Sequence, residues 1–145
     1  MRKISVVLAA CLSASTAVGA LADDQIRLDY LLHCSGCHLP EGQGAPPVVP
    51  GLKNALGVIV GLPEGREYLV RVPGAAQTPI TDKQLTDITN WILYRFNAET
   101  LPDDFEPLTV NEVSVARAHV LLDPLQKRVE IWNRRQSGDG ARYSK

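Results

Sequence analysis

Residues 24–38 read Asp-Gln-Ile-Arg-Leu-Asp-Tyr-Leu-Leu-His-Cys-Ser-Gly-Cys-His and join a helical pattern to a cysteine motif. Leucines recur on one face over residues 24–32, which predicts a short helix with Asp23 or Asp24 as its N-cap. The helix leads directly into a Cys-x-x-Cys-His sequence. The fold and the chemistry of this chain are therefore both anchored at this short segment.

The motif Cys34-x-x-Cys37-His38 has the attachment signature of a c-type haem. Two thiols three residues apart on one turn can each add to a haem vinyl group, and the next histidine can bind the iron. Three interpretations without haem stay open. A thioredoxin-like dithiol needs a parallel sheet, a zinc site needs a further ligand from His33 or His119, and a disulfide leaves His38 unexplained. The motif predicts one covalently attached haem c.

Glycine and proline are frequent over residues 40–51, directly after the motif, which predicts a rigid loop without regular structure. A short helix is predicted over residues 64–72. Pro63 occupies its first position, and Pro73-Gly74 ends it.

Two further helices are predicted where a capping box begins an apolar pattern. They cover residues 82–97 and residues 110–121. The capping boxes pair Thr81 with Gln84 and Thr109 with Glu112. Another helix follows Asp123-Pro124. Val58-Ile59-Val60 is the one β-branched run and is too short for a sheet, so the fold class is predicted to be all-α.

Composition fits one globular domain, with 145 residues of which 45% are hydrophobic and 21% charged. The net charge of −1 and the 6% aromatic content give no indication of nucleic-acid binding. No apolar run of ~20 residues follows the first segment, so we expect no transmembrane segment in the mature chain.

Residues 1–22 have the pattern of a secretory signal peptide, because Arg2 and Lys3 precede an apolar run at residues 4–10, and small residues follow that end in Ala20-Leu21-Ala22. Cleavage there would place the protein in the periplasm. A minor alternative is lipidation at Cys11, where Leu8-Ala9-Ala10-Cys11 is similar to a lipobox. Cleavage after Ala22 removes Cys11 and the only methionine, Met1.

Residues 24–97 resemble a class I cytochrome c domain: a helix running into CxxCH, a Gly/Pro loop, a short middle helix and a final amphipathic helix that crosses the first. The resemblance implies a cytochrome c-like fold, thioether bonds to both motif cysteines and His38 as the proximal iron ligand. It also implies that a loop carbonyl, from Pro46 or Pro47, accepts the other imidazole N–H.

The chain departs from this family at the second axial ligand, usually a methionine before the last helix. That stretch is residues 72–79 here, and no methionine follows Met1. His119 is a possible sixth ligand, whereas His33 adjoins the attached cysteine and is poorly placed. Weaker candidates are Gln77, Lys53 and Tyr68. We expect a distal side closed mainly by apolar groups, a five-coordinate or weakly ligated iron, and a lower reduction potential than with methionine.

Basic residues cluster around the middle helix, and either Arg66 or Arg71 is predicted to bind haem propionates. Four segments are expected: the signal peptide at 1–22, the haem domain at 23–97, a helical extension packing on it at 98–135 and a disordered tail at 136–145.

The charge is unevenly distributed along the chain. Residues 23–125 carry a net charge of −7 and residues 126–145 a net charge of +4. The basic end either docks an acidic redox partner or packs back on its own acidic domain.

These features predict a periplasmic monohaem electron carrier rather than an enzyme. Its partners would be periplasmic redox proteins: a dehydrogenase as donor and a cytochrome or oxidase as acceptor. One alternative is a five-coordinate haem protein that binds a small molecule, as a gas sensor or with peroxidase-like activity. Another is a haem subunit of a larger oxidoreductase.

Overall fold

The computed structural model describes residues 22–137, and its regular structure in that range is helical. These residues contain no strand, and an isolated bridge pairs Ala45 with Val49 across a tight turn. The all-α prediction is therefore confirmed. The predicted signal peptide lies outside the described residues except for Ala22, which is helical, and so does the predicted tail from residue 138 onward.

The helices are short and follow one another closely. Their order is α1 over residues 22–33, α2 Ser35–His38, α3 Leu56–Val60, α4 Pro63–Arg71, α5 Pro73–Ala76, α6 Asp82–Asn97, α7 Val110–Arg117 and α8 Pro124–Gln136. Gln136, where the predicted disordered tail begins, is thus the last residue of a helix.

Local start signals place two helices as the sequence predicts. Helix α4 begins with Pro63 at its first position and ends within one residue of the expected end. Helix α6 has the predicted bounds and a complete capping box, in which the Gln84 backbone N–H donates to the Thr81 hydroxyl at 3.2 Å. The Gln84 side chain accepts the Thr81 backbone N–H at 3.1 Å in return.

Helix α7 begins at the predicted residue but ends at Arg117, four residues before the predicted end. Its capping box forms between Thr109 and Glu112. Beyond the helix, the Leu121 backbone N–H donates to the carbonyl of Arg71 in α4 at 2.9 Å. This tertiary hydrogen bond replaces the helical one, so the predicted range of 110–121 was too long.

Helix α3 was not predicted, since it contains the β-branched run. It is stabilised from a distance by Asn97, which is fully buried and whose side-chain oxygen accepts the backbone N–H groups of Leu56 and Gly57 at 3.0 and 3.1 Å. A side chain 40 residues away thus satisfies N–H groups of its first turn. Ile59 and Val60 are buried, which outweighs their weak helix preference.

Helices α1 and α6 meet through three aromatic side chains. The fully buried ring of Tyr30 in α1 lies 5.3 Å from the Trp91 ring and 5.6 Å from the Phe96 ring, measured between centroids. The Tyr30 hydroxyl donates to the carbonyl of Leu39 at 2.6 Å, and burial raises the pKa of this group to about 12. The cluster therefore fixes α1, which leads directly into the cysteine motif, against α6.

The C-terminal helices pack on the preceding ones, α7 against α4 and α6, and α8 against α3 and α4. Two basic side chains of α8 form ion pairs within the chain: Arg134 with Glu64 at 2.5 Å and Lys127 with Glu130 at 3.2 Å. The Arg134 pair joins α8 to α4 and favours packing of the basic end on the acidic domain, whereas the Lys127 pair lies within α8 itself.

Arg117 joins α7 to the segment between α5 and α6. Its guanidinium donates to the carbonyls of Ala76, Thr78 and Ile80 and to the carboxylate of Asp82, at 2.9 to 3.3 Å. These contacts occupy all five N–H donors of the guanidinium. The segment before α6 is thus fixed by a residue of the extension.

Candidate functional site

A cavity of about 460 Å³ lies between the cysteine motif and helices α4, α5 and α6. Its size falls in the range of ~300–1,000 Å³ that is usual for small-molecule and cofactor sites. Its lining is mainly apolar and includes Leu69, Leu85, Ile88 and Ile92. All three side chains of the motif that carry chemistry also line it: Cys34, Cys37 and His38.

His38 is oriented by a backbone carbonyl. Its Nδ1 lies 3.2 Å from the oxygen of Pro50, and because a carbonyl can only accept, Nδ1 carries the proton. Nε2 then has a free lone pair, as a metal-binding imidazole requires. Burial lowers the pKa of His38, and the nearby charge of Arg128 acts in the same direction, which favours the neutral ring.

The carbonyl that orients His38 belongs to Pro50, whereas the resemblance to class I cytochromes implied Pro46 or Pro47. The reason is the turn between Ala45 and Val49, whose backbones hydrogen-bond in both directions at 2.9 and 3.0 Å. Pro46 and Pro47 lie within this turn, and Pro50 is the first residue after it closes.

The two thiols differ in exposure. Cys34 is half-buried, and desolvation raises the pKa of its thiol to about 11. Cys37 is exposed, and neither sulfur is bonded to the other. Both line the same cavity as His38, so a flat group bound there would meet the three side chains together.

The segment that would carry an axial methionine in a class I cytochrome contributes small and apolar groups instead. The lining from this segment consists of Val72, Pro73, Gly74, Ala75 and Thr78. Of the weaker ligand candidates, Tyr68 lines the cavity, whereas Gln77 and Lys53 do not. Tyr68 is 5% exposed.

The structure places His119 away from the cavity, against its predicted role as a possible sixth ligand. His119 is exposed and lies beyond the end of α7, in a separate surface groove with Glu67 and Arg71. Its carbonyl accepts the Arg71 Nε–H at 2.8 Å. The early end of α7 is the cause, because the chain turns toward α4 before this residue. His33 is exposed and lines the cavity.

Arg66 and Arg71, one of which was predicted to bind the propionates, both lie outside the cavity lining. Arg66 pairs with Glu112 at 2.6 Å, and its guanidinium lies 5.8 Å from the centre of the Phe105 ring. Arg71 pairs with Glu67 at 3.0 Å. Arg66 thus connects α4 to α7, and Arg71 connects α4 to the chain after α7 through the carbonyl of His119. Both guanidinium groups are engaged in the packing of the fold.

The C-terminal extension contributes to the cavity, which was not predicted. The residues involved are Leu122, Asp123, Pro124, Leu125 and Arg128. The resemblance ends at residue 97 and gave no reason to place them there. A signal was present in the spacing of Leu125, Arg128, Ile131 and Trp132, which marks one face of α8.

The structure bears on the interpretations without haem. Residues 22–137 contain no sheet of the kind a thioredoxin-like dithiol needs. In the same range, no group of three or more His, Cys, Asp and Glu side chains is arranged to hold a metal ion.

No helix of the described segment combines the length and apolar character needed to cross a bilayer, as expected from the sequence. Comparison of the chain with protein-family models, with curated proteins and with solved structures found no match.

Proposed function

We propose that this protein is a monohaem c-type cytochrome that transfers single electrons. The observation that carries the proposal is the common position of Cys34, Cys37 and His38 on one largely apolar cavity of about 460 Å³. The residues fit the group, because the orientation of His38 by Pro50 leaves Nε2 free. When bound, haem c supplies one-electron redox chemistry.

A cytochrome c-like fold is part of the same proposal. It is supported by the packing of α1 on α6 through Tyr30, Trp91 and Phe96, which brings the cysteine motif beside the last helix of the predicted haem domain. The protein's residues attach the group, orient the proximal imidazole and exclude water from one face.

The signal pattern of residues 1–22 supports a periplasmic location. There the protein would accept electrons from a dehydrogenase and donate them to a cytochrome or an oxidase. In this role it is a carrier rather than an enzyme.

A second candidate is a haem protein that binds a small molecule at the iron. It is favoured by the lining from residues 72–78, which supplies neither methionine nor histidine, and by Tyr68, which lines the cavity and carries a hydroxyl. That hydroxyl is suited to donate a hydrogen bond to a bound ligand. Sensing of a gas and peroxidase-like activity belong to this candidate.

Covalent attachment is the direct test. The full chain is produced in a host that attaches haem to exported CxxCH sequences. Acidified acetone then removes any haem that is not covalently bound. We expect the wild-type chain and Cys11→Ser to retain the haem, with a c-type pyridine spectrum, whereas Cys34→Ser with Cys37→Ser loses it. A wild-type chain without covalent haem would overturn the proposal.

The two candidates differ in their response to carbon monoxide. An unchanged spectrum of the reduced protein indicates an internal sixth ligand and supports the electron carrier. Rapid, tight binding indicates an open iron position and supports the small-molecule candidate.

A further inference from the structure

Among residues 22–137, Arg128 is the one arginine or lysine that lines the cavity. It belongs to α8, in the extension that lies outside the resemblance to class I cytochromes, and it is half-buried. Arg128 and His38 line the same cavity, and their side chains hydrogen-bond to adjacent backbone carbonyls, those of Gly51 and Pro50. A basic side chain of the extension therefore stands beside the imidazole of the cysteine motif.

The start of α8 determines this position. The Asp123 side chain caps the helix by accepting the Gln126 backbone N–H at 2.9 Å, and Pro124 takes the first helical position. Residues three and four apart share a helix face, so Arg128 lies on the same face as Pro124 and the buried Ile131. The packing of Ile131 thus holds the guanidinium at the cavity.

Arg128 differs from the other half-buried arginines in its partners. Arg66, Arg71 and Arg117 each form an ion pair with a carboxylate. Within residues 22–137, Arg128 has no such pair, and its hydrogen bond to the carbonyl of Gly51 is 3.4 Å long. Most of its five N–H donors are therefore available.

Partial burial of a guanidinium without an anion is unfavourable, because the charge loses water and gains no counter-charge. Among the described residues that line the cavity, Asp123 is the one with a carboxylate, and that group caps α8. The arrangement suits a cavity ligand that brings its own carboxylate, and a planar guanidinium can bind a carboxylate through two parallel hydrogen bonds.

We propose that Arg128 binds the propionate carboxylates of the haem in this cavity, and that residues 122–128 are part of the cofactor site. This assignment rests on the proposed function. Leu122 and Leu125 are both exposed and line the cavity beside Arg128, where they would cover the apolar edge of the macrocycle. The extension thus completes the site instead of forming a separate appendage.

The test compares Arg128→Gln with Arg135→Gln, which removes the same charge from an exposed position of the same helix. A cation beside the haem favours the reduced state, so we expect Arg128→Gln to lower the equilibrium constant for reduction about tenfold, or ~59 mV for one electron. The propionate bending band in the resonance Raman spectrum should shift as well. Arg135→Gln should change neither.

Arg128→Lys separates charge from geometry. The reduction potential of Arg128→Lys should stay close to that of the wild type, because the charge remains. Its propionate band should be shifted, because an ammonium group cannot bind a carboxylate through two parallel hydrogen bonds. Circular dichroism checks that each variant folds.

Two results would overturn the assignment in different ways. If wild type and Arg128→Gln both carry covalent haem and share one potential and one propionate band, Arg128 is not a propionate ligand and the cytochrome proposal stands. If the wild-type chain carries no covalent haem, the proposed function and this assignment fail together.

Discussion

The side-chain oxygen of Asn97, at the end of α6, accepts the backbone N–H of Leu56, at the start of α3, at 3.0 Å. The Asn97 amide is fully buried and also donates to the carbonyl of Ile92 at 3.2 Å. A helix that lacks a cap of its own is thus stabilised by a residue far along the chain.

Replacement of Asn97 should destabilise the protein strongly. Asn97→Ala leaves the N–H groups of Leu56 and Gly57 buried without an acceptor, so we expect the free energy of unfolding to fall by ~2–4 kcal/mol. Asn111→Ala, at an exposed site in α7, is the control and should change it by less than ~0.5 kcal/mol. Chemical denaturation measures both. Equal effects would contradict the role assigned to Asn97.

Two glycines should respond to alanine in opposite ways. A Cβ on Gly65 would lie 1.8 Å from the carbonyl oxygen of Ile59, where α4 crosses the end of α3, whereas a Cβ on Gly74 would meet nothing within 4 Å. Gly65→Ala should therefore cost ~3 kcal/mol. Gly74→Ala should be neutral or stabilise by up to ~1 kcal/mol, because alanine favours the helix. Thermal unfolding measures the difference. An unfolding temperature of Gly65→Ala equal to that of the wild type would contradict the close approach of α4 to the Ile59 carbonyl.

Stability should depend on pH through Glu112. The hydrogen bond from Arg66 is the largest cause that lowers the pKa of this carboxyl. Its contribution to stability is therefore complete above the ordinary pKa of 4.5 and is lost as the pH falls through the lowered value. Glu112→Gln keeps the capping box but removes the charge, so the rise of unfolding free energy as the pH increases from below 4.5 to above it should become smaller.

The expected loss at neutral pH is about 1 kcal/mol, since Glu112 is partly exposed and solvent screens the pair. Glu99→Gln, at an exposed position, serves as the control. Denaturation series at several pH values measure the slope. A slope unchanged in Glu112→Gln would show that the ion pair with Arg66 contributes nothing.

His119 should be dispensable for iron ligation. The residue is exposed and lies outside the cavity, so His119→Ala should leave the visible spectrum of the haem-loaded protein unchanged in both oxidation states. His38→Ala should abolish the low-spin or five-coordinate histidine spectrum, because the proximal imidazole is removed. A spectral change in His119→Ala would restore this residue as a sixth ligand.

Local sequence patterns predicted those helices whose ends are marked by capping or helix-breaking residues close by in the sequence. The capping boxes at Thr81 and Thr109 placed the beginnings of α6 and α7, because each depends on residues three positions apart. The end of α7 and the whole of α3 were missed, since they depend on tertiary hydrogen bonds that the Arg71 carbonyl and the Asn97 side-chain oxygen accept.

The part of the candidate site that could be predicted is the part whose reactive side chains are close together in the sequence. Cys34, Cys37 and His38 were placed by the motif, but the carbonyl that orients the histidine depends on the shape of a turn. The contribution of Arg128 depends on how α8 returns to the body of the protein, and no pattern within residues 24–97 carries that information.

The five hydrogen bonds of Arg117 fix the backbone between α5 and α6, next to the cavity lining at Ala75 and Thr78. A wall held in this way keeps one shape when the charge inside it changes. If the chain is the proposed electron carrier, the protein would have little to rearrange on a change of redox state, because Arg117 already holds the backbone dipoles of this wall in place.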